Sequence, residues 1–301
     1  MIVSCFFEPT DNARYLPIFA DEFNGDTSTP DKVWSVSARH SATWNRWVSN
    51  DPRVAFVENG NLVLRAIPNT DKKKDSADML TGALQTRGAF SFQYGKVEAR
   101  VLTTPHTGNF PAVWMMPEDQ SEGWPSCGEI DIFETIDNEN RSYHTVHSHW
   151  TYDLGKTGSP TSSFNTEASM DRYHTYGFEW TAKKMTWYLD GKSVGSYAKS
   201  TSSSTIEQGQ WPFDREFYLI LNQSVGNGAW AKNADTQFTY ETLVDWVRVY
   251  QLAEQVGIDT PEDDLSKNGI LHDMAGRKVG SNNTPLQPGI YVRDGEKVMV
   301  Y

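Results

Sequence analysis

An all-β sandwich is predicted by three features of the chain. Tight-turn signals recur between short apolar runs, no stretch sustains a helical period, and no run approaches the roughly 18 apolar residues of a membrane span. The first hairpin is Val57-Glu58-Asn59-Gly60-Asn61-Leu62-Val63-Leu64, where Asn-Gly separates two apolar runs and supplies the left-handed backbone of a two-residue turn. A second, Met185 to Val194, turns on Asp190-Gly191. A length of 301 residues permits one large β domain or two smaller ones, and the spacing of strands favours one with appendages. The expected architecture is a β-jelly-roll sandwich of two antiparallel sheets. Most of the 11 tryptophans are then core residues, and a net charge of −12 argues against a nucleic-acid partner.

Within this pattern, Glu129-Ile130-Asp131-Ile132-Phe133-Glu134 places three carboxylates in a six-residue apolar strand. Side chains of a regular strand alternate between faces, so Glu129 and Asp131 share one face and Glu134 points to the other. A β-bulge near Ile132-Phe133 would restore Glu134 to the side of the other two acids. It would leave Ile130 and one of the next two apolar residues for the core. Two carboxylates about 5–5.5 Å apart are what a retaining glycosidase needs, one as nucleophile and one as acid and then base. Asp131 between them would raise a neighbour's pKa by like-charge repulsion. The plainer reading is a solvated acidic edge strand or a cation site. An extended sugar chain would need an open cleft on the concave face of the sandwich, which is where acids and exposed tryptophans are expected.

The segment around these acids, Trp124-Pro125-Ser126-Cys127-Gly128 followed by Glu129 to Glu134, resembles family-16 glycoside hydrolases, whose bulged subgroup carries Glu-x-Asp-x-x-Glu. The resemblance extends over about residues 17–252. It takes in Asp21-Glu22-Phe23, Tyr94 to Arg100, Phe110 to Pro117, Pro212 to Asn222 and Val244 to Tyr250. It implies a concanavalin A-like jelly roll, with Glu129 as nucleophile, Asp131 as assisting carboxylate and Glu134 as general acid/base. Trp114 and Trp124 match tryptophans that stack on sugar rings. His147 matches a histidine beside the acids, and Asn45, Arg46, Asn222 and Trp230 fall where the family lines its subsites. A structural calcium is implied on the convex face, held by the backbone of Glu22 and Gly60 with the carboxylate of Asp245. No cofactor is implied for catalysis. The motif with Trp114, Trp124 and His147 is most similar to the laminarinase-type members. Endo-hydrolysis of β-1,3-glucan or mixed-linkage β-1,3-1,4-glucan by a monomer is therefore expected. A galactan hydrolase of agarase or porphyranase type and a noncatalytic glycan-binding protein are the alternatives.

The ends read differently. Residues 1–16 form a tail in which Ile2-Val3-Ser4-Cys5 is similar to the end of a bacterial lipoprotein signal, so Cys5 is a candidate lipid anchor. Cys5 and Cys127 are placed too differently to imply a disulfide. The jelly-roll domain is expected over 17–253, followed over 254–301 by an acidic linker and a small β element that turns on Asp294-Gly295. The last segment resembles C-terminal sorting modules of Gram-negative secreted proteins. The expected location is secreted or anchored at the outer membrane or cell surface of a Gram-negative bacterium.

Overall fold

A computed structural model describes residues 15–24 and 32–253 and, as backbone strands only, 270–272, 278–281, 289–293 and 296–300. In chain order the strands are β1 (Tyr15–Asp21), β2 (Ser35–Val36), β3 (Ala55–Glu58), β4 (Asn61–Pro68), β5 (Met79–Gln85), β6 (Gly95–Thr103), β7 (Asn109–Pro117) and β8 (Glu129–Glu134). They continue as β9 (Arg141–His147), β10 (Ser163–Glu167), β11 (His174–Trp180), β12 (Lys184–Leu189), β13 (Lys192–Ala198), β14 (Phe217–Val225) and β15 (Tyr240–Leu252). A π-helical turn at His149–Asp153 and a one-turn helix, α1 (Ser203–Glu207), are the helical elements among the described residues.

Both hairpins in this part form where expected. Glu58 pairs with Asn61 and Leu189 with Lys192, and Asn59, Gly60, Asp190 and Gly191 all take positive φ. That is the backbone of a two-residue turn whose twist matches the strands it joins.

The strands make the two-layer antiparallel jelly roll. One layer runs β10-β9-β8-β7-β14-β5, the other β5-β4-β15-β6-β11-β12-β13. β5 belongs to both layers: residues 79–81 pair with β4 and residues 82–85 with β14. Gly82 stands where the strand changes layers, and a Cβ there would lie 1.9 Å from the Val54 carbonyl oxygen. That carbonyl is held in place by the Arg65 N–H at 2.8 Å, so the corner has room only for glycine.

The core fills the space between the layers. Val113, Met115, Ile130, Phe133, Leu219 and Leu221 come from one side, and Val97, Ala99, Tyr176, Phe178 and Trp187 from the other. Each is essentially solvent-free, worth about 1.5–3 kcal/mol for a large side chain. Phe133 meets Tyr176 across the layers at 4.1 Å between ring centres.

Contacts divide the chain into two compact units, one containing residues 19–249 and the other residues 6–18 with 250–301. The second has a four-stranded antiparallel sheet of β16 (Ile270–His272), β17 (Lys278–Ser281), β18 (Gly289–Arg293) and β19 (Glu296–Val300), ordered β17-β16-β18-β19. β18 and β19 pair in antiparallel register from Gly289 with Val300 to Arg293 with Glu296, and the expected turn residues Asp294-Gly295 lie outside the described residues. Cys5 and the acidic linker lie outside the described residues.

Gly82→Ala is expected to cost about 3 kcal/mol or more by forcing the β5 corner apart, measured as a drop in the denaturation midpoint.

Candidate active site

The acids stand on β8, and its register carries the expected bulge. Against β7, Val113 pairs with Phe133 but Trp114 with Asp131; against β9, Asp131 pairs with Thr145 and Glu134 with Tyr143. Ile132 is therefore the surplus residue. It reverses the alternation after Asp131, bringing Glu129, Asp131 and Glu134 to one face. Ile130, Ile132 and Phe133 are all buried, so the core takes both apolar residues of the bulge. Gly128, just before the acids, has φ +92° and lies where a Cβ would press on Phe213 and Pro212 at 3.1 Å.

A bulge breaks the ladder and leaves backbone carbonyls to be satisfied elsewhere. Two buried side chains do this. The Trp187 indole N–H, from the opposite layer, donates to the Asp131 carbonyl at 2.8 Å, and His144 Nδ1 donates to the Ile132 carbonyl at 2.7 Å. A carbonyl only accepts, so His144 carries its proton on Nδ1, and Nε2 accepts from the Ser142 hydroxyl at 3.0 Å. Burial lowers the His144 pKa to about 4, which keeps the ring neutral at physiological pH. The polar residues on the core-facing side of β9, Ser142 and His144, are thus explained by the bulge.

On the cleft side, Glu129 Oε2 accepts the Trp124 indole N–H at 2.7 Å, and Oε1 lies 3.7 Å from His147 Nε2. The same His147 nitrogen is 3.3 Å from Asp131 Oδ2, an ion-pair contact that lacks hydrogen-bond alignment. Removal from water, followed by the nearby Asp131 charge, raises the Glu129 pKa to about 7. Desolvation and the charges of Asp131 and Glu129 push Glu134 well above the ordinary carboxylate range. Burial alone would lower His147, but contact with Asp131 and the charges of Asp131 and Glu129 carry it to about 9. The arrangement favours the protonated form of Glu134, beside a Glu129 held by an indole N–H and an imidazolium. Glu134 makes no hydrogen bond to a described residue and is paired across β7 with Ala112, whose small side chain leaves space beside the carboxyl. Glu129, Asp131 and His147 offer ligand atoms within 4.8 Å of one another, but the His147 imidazolium already supplies the cation that a metal would.

The other expected site residues separate into two groups. Trp124 and Trp230 are 47 % and 45 % exposed and present free ring surface. Trp124 packs edge-on against Tyr152 at 4.5 Å, and Trp230 against Tyr143 at 5.2 Å and Phe110 at 5.4 Å. Tyr152 and Tyr143 are cleft residues that sequence reasoning missed. The signal for Tyr143 is its place two residues from Thr145 and four from His147 on one strand face; Tyr152 depends on the turn capped by Ser148 and Thr151.

Trp114, by contrast, is 5 % exposed, so the expected sugar stacking on its face is corrected. It belongs to an apolar floor with Ala112, Met116, Cys127, Tyr218 and Ile220, edged by Trp44, and gives its indole N–H to Asn222 Oδ1 at 2.7 Å. Asn222 is likewise committed, donating to Ser224 Oγ, and is not free to line a subsite. Arg46 is a strut: its guanidinium donates to the carbonyls of Thr43, Val225 and Gly226 and covers the Trp47 ring. Asn45 is buried with Oδ1 unpartnered, which leaves it a candidate for a ligand contact.

The expected calcium donors have other partners in part. Asp245, the one side-chain carboxylate of the set, pairs with the Arg100 guanidinium, and Glu22 is engaged bidentately by Arg248 at 2.8 Å. These pairs engage Asp245 Oδ2 and the Glu22 side chain and leave Asp245 Oδ1 and the Glu22 backbone outside them. Gly60 serves the β3–β4 turn.

Fold and acid row together define a glycoside hydrolase. The model of Glycosyl hydrolases family 16 matches residues 43–248, and the chain belongs to that family. It is 38 % identical over 245 residues to the keratan-sulfate endo-1,4-beta-galactosidase of Sphingobacterium multivorum, covering 79 % of this chain and 56 % of that protein's length. The laminarinase of Rhodothermus marinus superposes with a TM-score of 0.69 at 27 % identity, over 80 % of this chain and 99 % of that one. A structure from the endo-acting O-glycanases that members of the human gut microbiota express to initiate mucin breakdown gives 0.66 at 29 % identity, over 79 % and 100 %.

Two outcomes test the site. Trp187→Phe and His144→Phe each orphan a bulge carbonyl and are expected to cost about 1–3 kcal/mol in urea melts. His147→Gln removes the cation that favours ionised Glu129, so the acidic limb of the kcat/KM–pH profile should move to higher pH.

Proposed function

We propose that this chain is a retaining endo-β-glycosidase that cuts internal linkages of an extended β-linked glycan, with β-1,3-glucan or mixed-linkage β-1,3-1,4-glucan as the first substrate class. One observation carries the reading: the surplus residue at Ile132 brings Glu129 and Glu134 to one face with their pKa values driven by different surroundings, which supports a nucleophile and a proton donor. Glu129 attacks the anomeric carbon as Glu134 gives its proton to the departing glycosidic oxygen. Formation of the glycosyl ester removes the Glu129 charge, one of the two that hold Glu134 protonated, and the Glu134 pKa falls. Glu134 can then take a proton from water, whose oxygen attacks the anomeric carbon from the opposite side to the ester and releases Glu129. Two inversions give net retention.

The exposed pairs Trp124–Tyr152 and Trp230–Tyr143 flank the acids and suit sugar rings on both sides of the cut, as internal cleavage requires. A polymer of this size is met outside the cytoplasm, which supports a secreted or surface location. A second reading, a β-galactoside-containing glycan, is favoured by the 38 % identity to the keratan-sulfate galactosidase.

Product analysis on laminarin, barley mixed-linkage glucan, cellulose, agarose, porphyran and desulfated keratan sulfate tests the reading. Short oligosaccharides from the two β-glucans are expected. Products from galactose-containing chains alone would keep the chemistry and replace the substrate, and silence on all six would overturn the endo-hydrolase. Glu134→Gln should lose about 10²–10⁴ in kcat and recover most of it on an aryl glycoside whose leaving group needs no proton.

A further inference from the structure

Beyond Tyr143 the cleft-facing side of the sheet continues into a polar hollow. Strand β9 alternates strictly, so Arg141, Tyr143, Thr145 and His147 share the cleft face. Their partners on β10 share it as well: Asn165 is opposite Tyr143 and Glu167 opposite Arg141. Here Arg141, Tyr143, Asn165 and Glu167, with Glu139 and Arg172, line a cavity of about 920 Å³. Tyr143 joins the hollow to the site, since it is the cross-strand partner of Glu134 and packs against Trp230.

The charges in this hollow are arranged in an uncommon way for so acidic a chain. Most arginines of the described residues are matched to carboxylates: Arg39 to Asp75, Arg53 to Asp51, Arg65 to Glu241, Arg100 to Asp245, Arg215 to Glu122 and Arg248 to Glu22. Arg141 and Arg172 have none, as is also true of Arg46, whose donors go to carbonyls, and of Arg87, which lies over the Tyr218 ring. Arg141 donates to the neutral Asn165 Oδ1 at 2.5 Å, and Arg172 Nε approaches His174 Nε2 at 3.4 Å. Both acids at hand leave them free. Glu139 accepts the Tyr143 hydroxyl at 2.5 Å, and Glu167, although opposite Arg141 in register, makes no ion pair with it. Two guanidinium groups of a chain with net charge −12 therefore open into one cavity at the end of the cleft with no carboxylate at ion-pair distance, although Glu139 and Glu167 line the same cavity.

We propose that this hollow is a remote subsite for a sugar bearing an anionic substituent, a sulfate ester or a carboxylate, on the glycan whose backbone is cut at Glu129 and Glu134. Guanidinium forks match the oxygens of either group, and charge-assisted hydrogen bonds are the strong kind. Substituents would be read here while the backbone linkage is read at the acids. The proposal rests on the second, β-galactoside reading of the endo-glycosidase, because the glucans of the first reading are neutral chains, but binding tests it separately from turnover.

The test is calorimetric titration of the Glu129→Gln full chain with N-acetyllactosamine oligosaccharides that are unsubstituted, 6-O-sulfated or sialylated. Tighter binding of at least one anionic probe, by about tenfold over the neutral one, is expected. Which of the two it is distinguishes sulfate from carboxylate. Arg141→Gln with Arg172→Gln should reduce that preference to within twofold while leaving binding of the neutral probe unchanged, which also shows that the fold is intact. Equal binding of all three probes, no binding of either anionic probe, or a preference that survives loss of both arginines would overturn the subsite. Turnover of neutral chains by the wild type in any of those cases would leave the endo-glycosidase standing, whereas anion-dependent binding without turnover of any chain would remove the hydrolase and keep the subsite.

Discussion

The site depends on one surplus residue in one strand. Without Ile132 out of register, β8 would present Glu129 and Asp131 to the cleft and drive Glu134 into the core between the sheets, an unpartnered charge in an apolar space. The bulge is itself costly, because it opens the ladder over two residues in the middle of a buried layer. Trp187 from the opposite sheet and His144 from the neighbouring strand close that gap with short hydrogen bonds to the two freed carbonyls. Catalytic geometry here is therefore a property of both layers.

The same dependence sets the electrostatics. The acids stand beside an apolar floor of Trp114, Met116, Tyr218 and Ile220, so their carboxyls are deprived of water and mutual repulsion is little screened. Glu129 has compensation from the Trp124 N–H and His147, while Glu134 has none from the described residues. That asymmetry suits one of two chemically identical side chains to the proposed attack and the other to the proposed proton donation. Asp131 links the two, since its charge raises both and also holds His147 in its protonated form.

Features that follow from short-range rules were legible in the sequence. The turns at Asn59-Gly60 and Asp190-Gly191 need only a left-handed dipeptide between apolar runs, and the bulge follows from counting faces between Glu129 and Glu134. Residues whose role depends on distant partners were not. Arg46 looked like a subsite residue until its donors met carbonyls some 180 positions away, and Asp245, expected as a metal ligand, gives one of its oxygens to Arg100. Trp114 and Trp124 are the same residue type ten positions apart, yet one is floor and one is exposed, because burial is decided by what packs above them. Nothing in the sequence singles out His144; its purpose appears only once the Ile132 carbonyl is left without a ladder partner.

The central claim is that the bulged acid row performs two inversions at one carbon. Proton NMR of the reducing end released in the first minutes from a cleaved polysaccharide tests this most directly, before mutarotation mixes the anomers. The β-anomer appearing first, with α growing in later, is the predicted result. An initial α-anomer would mean a single displacement by water, and Glu129 could not be the nucleophile.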